Sequence, residues 1–334
     1  MKQHYTTQHA NSALKGVNLG GWLVLEKWMT PSVFAGSTAV NEYELSHTKV
    51  GRAAIKRHRS TFIKESDFAW LASVGIEIIR VPIGYWAVQV ASPYCNAAKE
   101  LAWCMQMAKK YRLKVLLCMH AAPGAQNAND HSGSGKPGKV GWYTRANKKA
   151  TQLALVTLAD KYGSHPALWG IELLNEPLVA NWWQRVQLWW WTYRAARVLR
   201  RILPPRVRIV ASDCYDPAWW SGKIGKATLD IHHYQCFSDE DTAADSYQHH
   251  HTQIHARADA YSTYVADQPI IIGEWSATLP PRTMNDEDAK KFCRTQLAVP
   301  VGADAWFFWS YKTEHAGTWN FRNLYEKGYF NGFL

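Results

Sequence analysis

The stretch Leu168-Trp-Gly-Ile-Glu-Leu-Leu-Asn-Glu-Pro177 carries the pattern that decides the fold. Its apolar run, Leu168–Leu174, ends in Asn175 and Glu176 and is stopped by Pro177. Apolar residues on both alternating faces are typical of a parallel strand that is buried on both sides. The stretch therefore predicts an inner strand of a parallel sheet with polar side chains at its carboxyl end.

Seven further apolar runs share this pattern, and helical patterns separate most of them. The runs are Gly16–Leu19, Ile76–Ile83, Lys114–His120, Val207–Ser212, Thr228–Tyr234, Ile270–Trp275 and Ala305–Trp309. The helical segments are Ser66–Val74, Ala97–Tyr111, Ala146–Tyr162, Asn181–Leu203, Thr242–Val265 and Asp286–Leu297. Strand and helix in alternation predict an α/β fold, a (β/α)8 TIM barrel. The alternative, a doubly wound open sheet, normally has a Gly-rich phosphate turn after its first strand, and Asn18–Gly21 is not one.

The barrel is predicted to form one domain, residues 16–334, after an N-terminal extension of residues 1–15. Trp22–Glu65 makes the loop after the first strand unusually long. Ala121–Trp142 is a second long segment, and its Gly-rich part, His131–Lys139, is predicted to be a mobile loop. We expect this loop at the rim of an active site, because loops after barrel strands carry function.

The composition is that of a globular protein: 47% of the 334 residues are hydrophobic and 19% charged, which excludes a mostly disordered chain. No apolar stretch is long enough to span a membrane, and Met1–Ala13 lacks the apolar centre of a secretory signal, so we expect a cytoplasmic protein. The six cysteines form no CxxC pair, so reduced thiols and no structural zinc are expected. His249–His251 with His255 is interpreted as a solvated helix face rather than a metal site, because no acidic or cysteine partner is nearby in sequence.

Charge and aromatic content bear on possible partners. The net charge of +11 permits attraction to anionic surfaces, but the basic residues form no run with a fold signature, so no nucleic-acid partner is expected. The 18 Trp residues favour a carbohydrate or membrane-surface role, since aromatic rings stack on the apolar faces of sugars.

The helical segment Asn181–Leu203 concentrates Trp and Arg residues. One stripe along it is expected to pack on the barrel. That stripe consists of Trp182, Val186, Trp189 and Tyr193. The other tryptophans fall beside it, close to arginines: Trp183, Trp190 and Trp191. They either pack against neighbouring helices or contact an anionic membrane surface or a protein partner.

In a barrel the chemistry lies at the carboxyl ends of the strands. Most predicted strands end in polar or aromatic side chains: Arg80, His120, Asn175, Glu176, His232, Tyr234, Glu274 and Trp309. The fourth and seventh strands should bring Glu176 and Glu274 face to face across the barrel mouth. Cleavage of a glycosidic bond needs one protonated and one ionised carboxyl group, and Arg80 near Glu274 would keep that carboxylate ionised.

At these positions the sequence resembles family 5 glycoside hydrolases of clan A, in the branch of fungal exo-β-1,3-glucanases and their bacterial relatives. Seven pieces carry the resemblance, in the family's order, across residues 16–320. They are GVNLGGWLVLE from Gly16, RVPIGYW from Arg80, His120 with APGAQN up to Asn127, IELLNEP from Ile171, HHYQ from His232, GEWS from Gly273 and FWSYKTE from Phe308.

The resemblance implies a role for each matching residue. Glu176 matches the general acid/base and Glu274 the nucleophile of a retaining mechanism, in which the two carboxyl groups lie about 5–5.5 Å apart. Glu26 matches a glutamate that binds the non-reducing-end sugar. The supporting residues are Arg80, His120, Asn127, Asp130, Asn175, His232, Tyr234, Phe237, Trp275 and Trp309. No metal and no cofactor is implied.

Three departures from the family bear on the substrate. Asn129 stands where the fungal enzymes have one of two phenylalanines that clamp the leaving sugar, while Phe237 retains the other. Lys27 stands where the glucanases have a proline, and Pro280-Pro281-Arg282 replaces a Gly-rich stretch. The expected function is hydrolysis of β-glucan, β-1,3-linked oligosaccharides above all. Transglycosylation, a glycolipid β-glucosidase, and a non-catalytic glucan- or membrane-binding protein on the same fold remain alternatives.

Overall fold

The computed structural model describes residues 13–132, 138–244, 246–282, 285–299 and 301–334. Eight parallel strands close into a barrel in sequence order, which confirms the predicted (β/α)8 fold. The strands are β1 (Leu14–Asn18), β2 (Ile78–Gly84), β3 (Lys114–Ala121), β4 (Leu168–Glu172), β5 (Arg208–Ser212), β6 (Thr228–His233), β7 (Ile270–Trp275) and β8 (Ala305–Phe308). Strand β1 begins at Leu14, inside the predicted extension, whose residues 1–12 lie outside the described part of the chain.

Helices surround the barrel and connect its strands. They are α1 (Glu42–Leu45), α2 (Lys49–Thr61), α3 (Glu65–Ser73), α4 (Ala98–Lys110), α5 (Arg145–Tyr162), α6 (Trp182–Ile202), α7 (Pro217–Trp220), α8 (Asp239–Ala243), α9 (Tyr247–Asp267), α10 (Asp286–Ala298) and α11 (Phe321–Glu326). Side-chain caps fix several helix starts: Asn181 accepts from the amide of Gln184, and Asn285 from that of Asp288. No helix in the described residues is long and apolar enough to cross a membrane.

The barrel interior has two layers. An apolar layer fills the amino-terminal end of the strands and consists of Ile78, Leu116, Val210, Ile271, Ala305 and Phe307. Because side chains alternate along a strand, residues two positions further on point into the next layer. That layer is polar and includes Asn18, Arg80 and Glu172, all fully buried. The apolar layer thus supports a charged one, directly below the barrel mouth.

The first and last strands form the seam of the barrel. Leu14 pairs with Ala305 and Val17 with Phe308. The Asn18 amide donates to the backbone carbonyl of Gly273 (2.9 Å) and lies 3.4 Å from that of Phe307, so it ties β1 to both β7 and β8. The chain's last segment packs under the seam, since the rings of Phe321 and Phe330 lie 4.5 Å apart in the core.

Several sequence-based expectations need correction. The long segment Trp22–Glu65 is not only a loop, because it contains α1 and α2, held by the buried ion pair between Arg59 and Glu42 (2.5 Å). The predicted helix Thr242–Val265 is two helices, α8 and α9. The expected mobile loop His131–Lys139 lies partly outside the described residues, at 133–137.

The expected packing stripe of α6 is wrong. Trp182 and Tyr193 are exposed, whereas Trp191, expected to fall beside the stripe, is buried. The face on the barrel consists of Leu188, Trp191, Thr192, Ala195 and Leu199. The histidine segment is also only partly solvated, because His250 is fully buried and contacts the Gln235 side chain at 3.2 Å.

Candidate active site

A cavity of about 980 Å³ opens at the carboxyl ends of the strands. Sequence-predicted residues that line it are Glu26, His120, Asp130, Glu176, His232, Tyr234, Phe237, Glu274 and Trp309. They come from loops and strand ends on six of the eight β/α units, as expected for a barrel enzyme. Arg80 and Asn175 are completely buried and do not line the cavity themselves.

Arg80 organises the buried polar layer. Its guanidinium forms a two-pronged ion pair with Glu172 (2.8 and 3.0 Å) and donates to Glu274 Oε1 at 2.7 Å. It also donates to the side-chain oxygens of Asn18 (3.0 Å) and Asn175 (2.7 Å). One fixed cation therefore positions residues from strands β1, β4 and β7, and the planar fork of arginine suits this task better than lysine would.

The two predicted catalytic glutamates lie close together. One carboxylate oxygen of Glu176, one of Glu274 and a ring nitrogen of His232 are all within 4.8 Å of one another. A retaining glycosidase keeps its carboxyl groups about 5–5.5 Å apart, whereas an inverting enzyme needs about 6.5–9.5 Å to fit a water molecule. The observed spacing favours the retaining geometry.

His232 links the two glutamates. Its Nδ1 lies 2.6 Å from Glu176 Oε1 and 3.5 Å from Glu274 Oε2. Burial lowers the pKa of His232, but the carboxylates of Glu274 and Glu176 outweigh burial and raise it well above its usual value. This shift favours the imidazolium form of His232, in which Nδ1 donates to Glu176.

The two glutamates respond in opposite directions. Burial raises the pKa of Glu176, but the charge and hydrogen bond of His232 outweigh it and hold the pKa at about 2. Burial raises the pKa of Glu274, and the opposing charges of His232 and Arg80 do not fully compensate. Arg80 lies beside Glu274, as expected. However, burial has a larger effect than Arg80 on the pKa of Glu274, so that pKa is raised and not lowered. Such interacting groups titrate as one set, with the proton shared over the short His232–Glu176 contact.

The backbone at Glu176 is held in an unusual conformation. Its φ is +44°, in the left-handed region that non-glycine residues rarely adopt. Asn127 donates to the carbonyl oxygen of Glu176 (3.1 Å), and Gln126 donates to that of Asn175 (3.0 Å). Asn127 thus belongs to the site by supporting the Glu176 backbone, and strain of this kind is common where a catalytic side chain must be aimed.

A β-bulge explains how Glu274 reaches the cavity. Ile271 and Gly273 face the barrel interior, so strict alternation would point Glu274 outward. The register shifts between Ile272 and Trp275 against β8, and bulges of this kind re-aim side chains next to active sites. Trp275 points outward instead, against Trp306 and Phe308 (5.6 and 5.0 Å between ring centres), so the structure does not bring this predicted residue into the cavity.

One end of the cavity is lined by acids and imidazoles. Glu26 is buried, accepts a hydrogen bond from Trp28 Nε1 (2.9 Å), and burial raises its pKa to about 7 despite the charge of nearby His131. The His131 ring lies 4.8 Å from that of His120, which stacks in parallel on Trp309 at 5.5 Å. This wall offers donors and acceptors for sugar hydroxyls.

An adjoining wall of the cavity is aromatic. The Trp319 ring stacks on Phe237 (6.1 Å) and contacts the rings of Tyr234 (5.5 Å) and Trp28 (5.6 Å). Asn129 is exposed at the opposite rim, so the structure places one aromatic wall, not two, at the entrance.

Several residues of the site were not predicted. Asp213 and Tyr215 follow β5, one of two strands whose ends were not considered, and the same rule applied there would have found them. Tyr215 acts on Glu176 and lowers its pKa. Glu172 and Asp230 are charged residues within apolar strands, which is itself a signal of a buried site. Trp28, His131 and Trp319 sit in loops, where no strand-end rule applies.

Three groups in the described residues could hold a metal ion by their spacing: Glu176, His232 and Glu274; Glu172, Asp230 and His232; and Asp241, His249 and His250. In the first two groups the guanidinium of Arg80 already supplies the positive charge, since it lies 2.7 Å from Glu274 and 3.6 Å from Asp230. The third has Arg257 within 3.9 Å of Asp241, and this cation opposes a metal ion.

Comparison with known proteins points in the same direction as this geometry. Residues 38–315 match the family model described as cellulase (glycosyl hydrolase family 5). The probable glucan 1,3-beta-glucosidase A of Neosartorya fischeri is 31% identical, over 96% of this chain and 88% of its own. The glucan 1,3-beta-glucosidase of Blumeria graminis is also 31% identical, over 95% of this chain and 86% of its own.

Solved structures share the fold. The rutinosidase from Aspergillus niger superposes with a TM-score of 0.80 at 21% identity, covering 97% of this chain and 99% of that one. The clostridial cellulose synthase subunit Z from Clostridioides difficile gives a TM-score of 0.60 at 14% identity, covering 94% and 96% of the two chains.

Proposed function

This chain belongs to glycosyl hydrolase family 5 and is a retaining glycoside hydrolase, and we propose that it releases glucose units from β-1,3-linked glucans or oligosaccharides. The observation that carries the proposal is the Glu176–His232–Glu274 group, with its polar atoms within 4.8 Å, at the bottom of a large cavity. The names of the curated relatives support glucan as the substrate class.

In the first step Glu274 attacks the anomeric carbon. The new bond joins a Glu274 oxygen to the sugar, and the bond to the leaving oxygen breaks. Arg80 and the Tyr234 hydroxyl, which donates to Glu274 Oε2 at 2.9 Å, fix the direction of attack. Glu176 gives the leaving oxygen its proton, and the 2.6 Å contact with His232 Nδ1 supplies that proton to Glu176.

In the second step an acceptor hydroxyl attacks the glycosyl-enzyme. Glu176, now ionised, takes the acceptor's proton, and Glu274 leaves as a carboxylate. His232 gave up its proton in the first step, and because the ester carries no negative charge on Glu274, one of the two anions that favour protonation of His232 is absent during this interval. Water as acceptor gives hydrolysis, and a sugar gives transfer.

Sugar binding is assigned to the walls of the cavity. Glu26 and His131 line the cavity, and we assign to them the binding of hydroxyls of the terminal sugar. Phe237 and Trp319 form a stacking wall for the next sugar.

Transglycosylation is the second candidate. The observation that favours it is the Phe237 side chain, which is 70% exposed at the cavity entrance and stacks on Trp319. A ring held there can offer a sugar acceptor in place of water. Asn129 replaces the second aromatic side chain of the fungal enzymes, so this subsite should bind an acceptor sugar more weakly than theirs.

A time course on laminari-oligosaccharides tests the proposal, with Glu274→Gln as the matched control because it keeps size but cannot form the ester. Release of β-glucose, or of longer transfer products, by the wild type alone is expected. Products of inverted configuration, or equal turnover by the variant, would contradict the mechanism. No turnover of these sugars, with turnover of another β-glucoside, would reject the β-1,3-glucan substrate alone.

A further inference from the structure

The outward face of α6 is an aromatic and basic surface far larger than chance exposure of single residues. Its aromatic half consists of Trp182 (67% exposed), Trp183 (73%), Trp190 (48%) and Tyr193 (36%). Its basic half consists of Arg194, Arg197, Arg200 and Arg201, all exposed. Contiguous exposed apolar area of this kind marks an interaction site in a soluble domain.

All of these residues lie on one side of the helix. At 100° per residue, positions 182, 190, 193 and 197 fall within one quarter of the circumference, and Leu188, Trp191 and Ala195 face the barrel on the opposite side. The surface is therefore not left over from incomplete packing, because the barrel-facing stripe is already buried.

The electrostatics of this face are one-sided. The 21 residues of α6 include five arginines and no acidic residue. Two exposed lysines, Lys223 and Lys226, lie in the segment beside α6. The backbone carbonyl of Lys223 accepts a hydrogen bond from Trp189 Nε1 at 2.8 Å. The acidic neighbour Asp216 is neutralised by Arg185 at 2.8 Å.

We propose that this face, the α6 surface, binds the interface of an anionic lipid bilayer. Trp and Tyr rings prefer the region between headgroups and acyl chains, and each arginine near the surface adds attraction to anionic headgroups. A neutral glucan would gain no Coulomb attraction from the arginines. The guanidinium groups of Arg194 and Arg197 also lie over the rings of Trp190 and Tyr193 (5.7 Å each), which occupies faces that a sugar would need for stacking.

The orientation follows from the barrel. Helix α6 starts six residues after Glu176, at the catalytic end, and runs away from it. A bilayer on the α6 surface would thus lie along the side of the barrel, with the aromatic half nearest the cavity entrance. The entrance would open parallel to the membrane and stay accessible to substrate.

The test is flotation with phosphatidylcholine vesicles that contain about one third phosphatidylglycerol, and with pure phosphatidylcholine vesicles. We expect binding to the anionic vesicles only. This binding should be lost at about 1 M salt, because the Debye length is then only about 3 Å and the attraction between arginines and headgroups is screened. The triple change Arg194→Gln, Arg197→Gln and Arg201→Gln should weaken binding about tenfold or more. Trp182→Ser, Trp183→Ser and Trp190→Ser together should weaken it similarly.

Control variants remove three positive charges, or exposed apolar side chains, elsewhere on the surface. Lys290→Gln, Lys291→Gln and Arg294→Gln remove three charges from α10, three strands further around the barrel, and Val50→Ser with Val90→Ser removes exposed apolar side chains. Both controls should float like the wild type. Thermal unfolding of every variant shows that the fold is kept. Three results would overturn the proposal. The wild type does not float with the anionic vesicles, the α10 variants lose as much binding as the α6 variants, or the α6 variants lose binding to a β-glucan polymer instead of binding to vesicles.

Discussion

At the scale of single residues, the site works by holding one proton between three groups. His232 Nδ1 is 2.6 Å from Glu176 and 3.5 Å from Glu274, so its position decides which carboxyl group is protonated. The free protein stores the proton on the imidazole, and Glu176 is the carboxylate nearest to it. We therefore propose that Glu176 and His232 act together as the general acid.

Replacement of His232 by Gln should change the pH dependence of kcat/KM. The wild type keeps its acid proton while His232 is protonated, up to a pH well above 6.5. In the variant Glu176 must hold the proton alone; its pKa rises from about 2 because burial is no longer opposed by the imidazolium. We expect the alkaline fall in activity to move to lower pH, with a maximum lower by roughly tenfold to a hundredfold.

An aryl glycoside provides the control for this experiment. Its leaving group needs no proton, so the first step of the variant should recover on that substrate. An unchanged alkaline limb in His232→Gln would show that His232 plays no part in storing the proton.

At the scale of elements, the strand pattern predicts the barrel but not how its side chains are aimed. All eight strands are found within a few residues of their predicted bounds, because runs buried on both faces have a clear signal. The bulge in β7 has no signature in GEWS, so Trp275 was assigned to the site together with Glu274. In α6 two apolar stripes compete in one Trp-rich helix, and periodicity alone could not tell which one faces the barrel.

Gly273 makes room for a carboxylate inside the barrel. A Cβ at this position would lie 1.9 Å from Asp230 Oδ1, and Asp230 in turn faces Arg80 and His232. Gly273→Ala should displace Asp230, lower kcat by about tenfold or more, and cost about 1–3 kcal/mol of unfolding free energy through overpacking. Gly170→Ala is the matched control.

At Gly170, which lies on β4 of the same barrel, a Cβ would lie 3.1 Å from its nearest atom, the backbone oxygen of Arg208 on β5. Urea unfolding and steady-state kinetics should therefore show a larger loss of stability and of kcat in Gly273→Ala than in Gly170→Ala. If both glycine variants keep full activity, Asp230 does not support the catalytic group.

At the scale of the whole molecule, the segment after β8 stabilises the barrel by packing against it. Phe330 is buried and packs on Phe308 (5.7 Å) and Phe321 (4.5 Å), below the seam of β1 and β8. Tyr329 donates to the Asp286 side chain at 2.9 Å and joins this segment to α10. Sequence periodicity did not reveal this role, because a short segment after the last strand carries no repeat to compare with.

Phe330→Ala should lower the unfolding free energy by about 3–5 kcal/mol, since it leaves a cavity in the core. Phe333→Ala, three residues further on and only partly buried, should cost much less. Urea denaturation measures both. Equal losses for the two variants would show that the segment is held by its surface contacts and not by the Phe330 core.

The seam also sets an order of events during synthesis. Asn18 and Phe308 touch across 290 positions of chain, and Arg80, Asn18 and Glu274 share one network with them. A nascent chain cannot complete this network until its final strand has left the ribosome. A nascent chain is therefore expected to become active only after β8 has emerged and paired with β1.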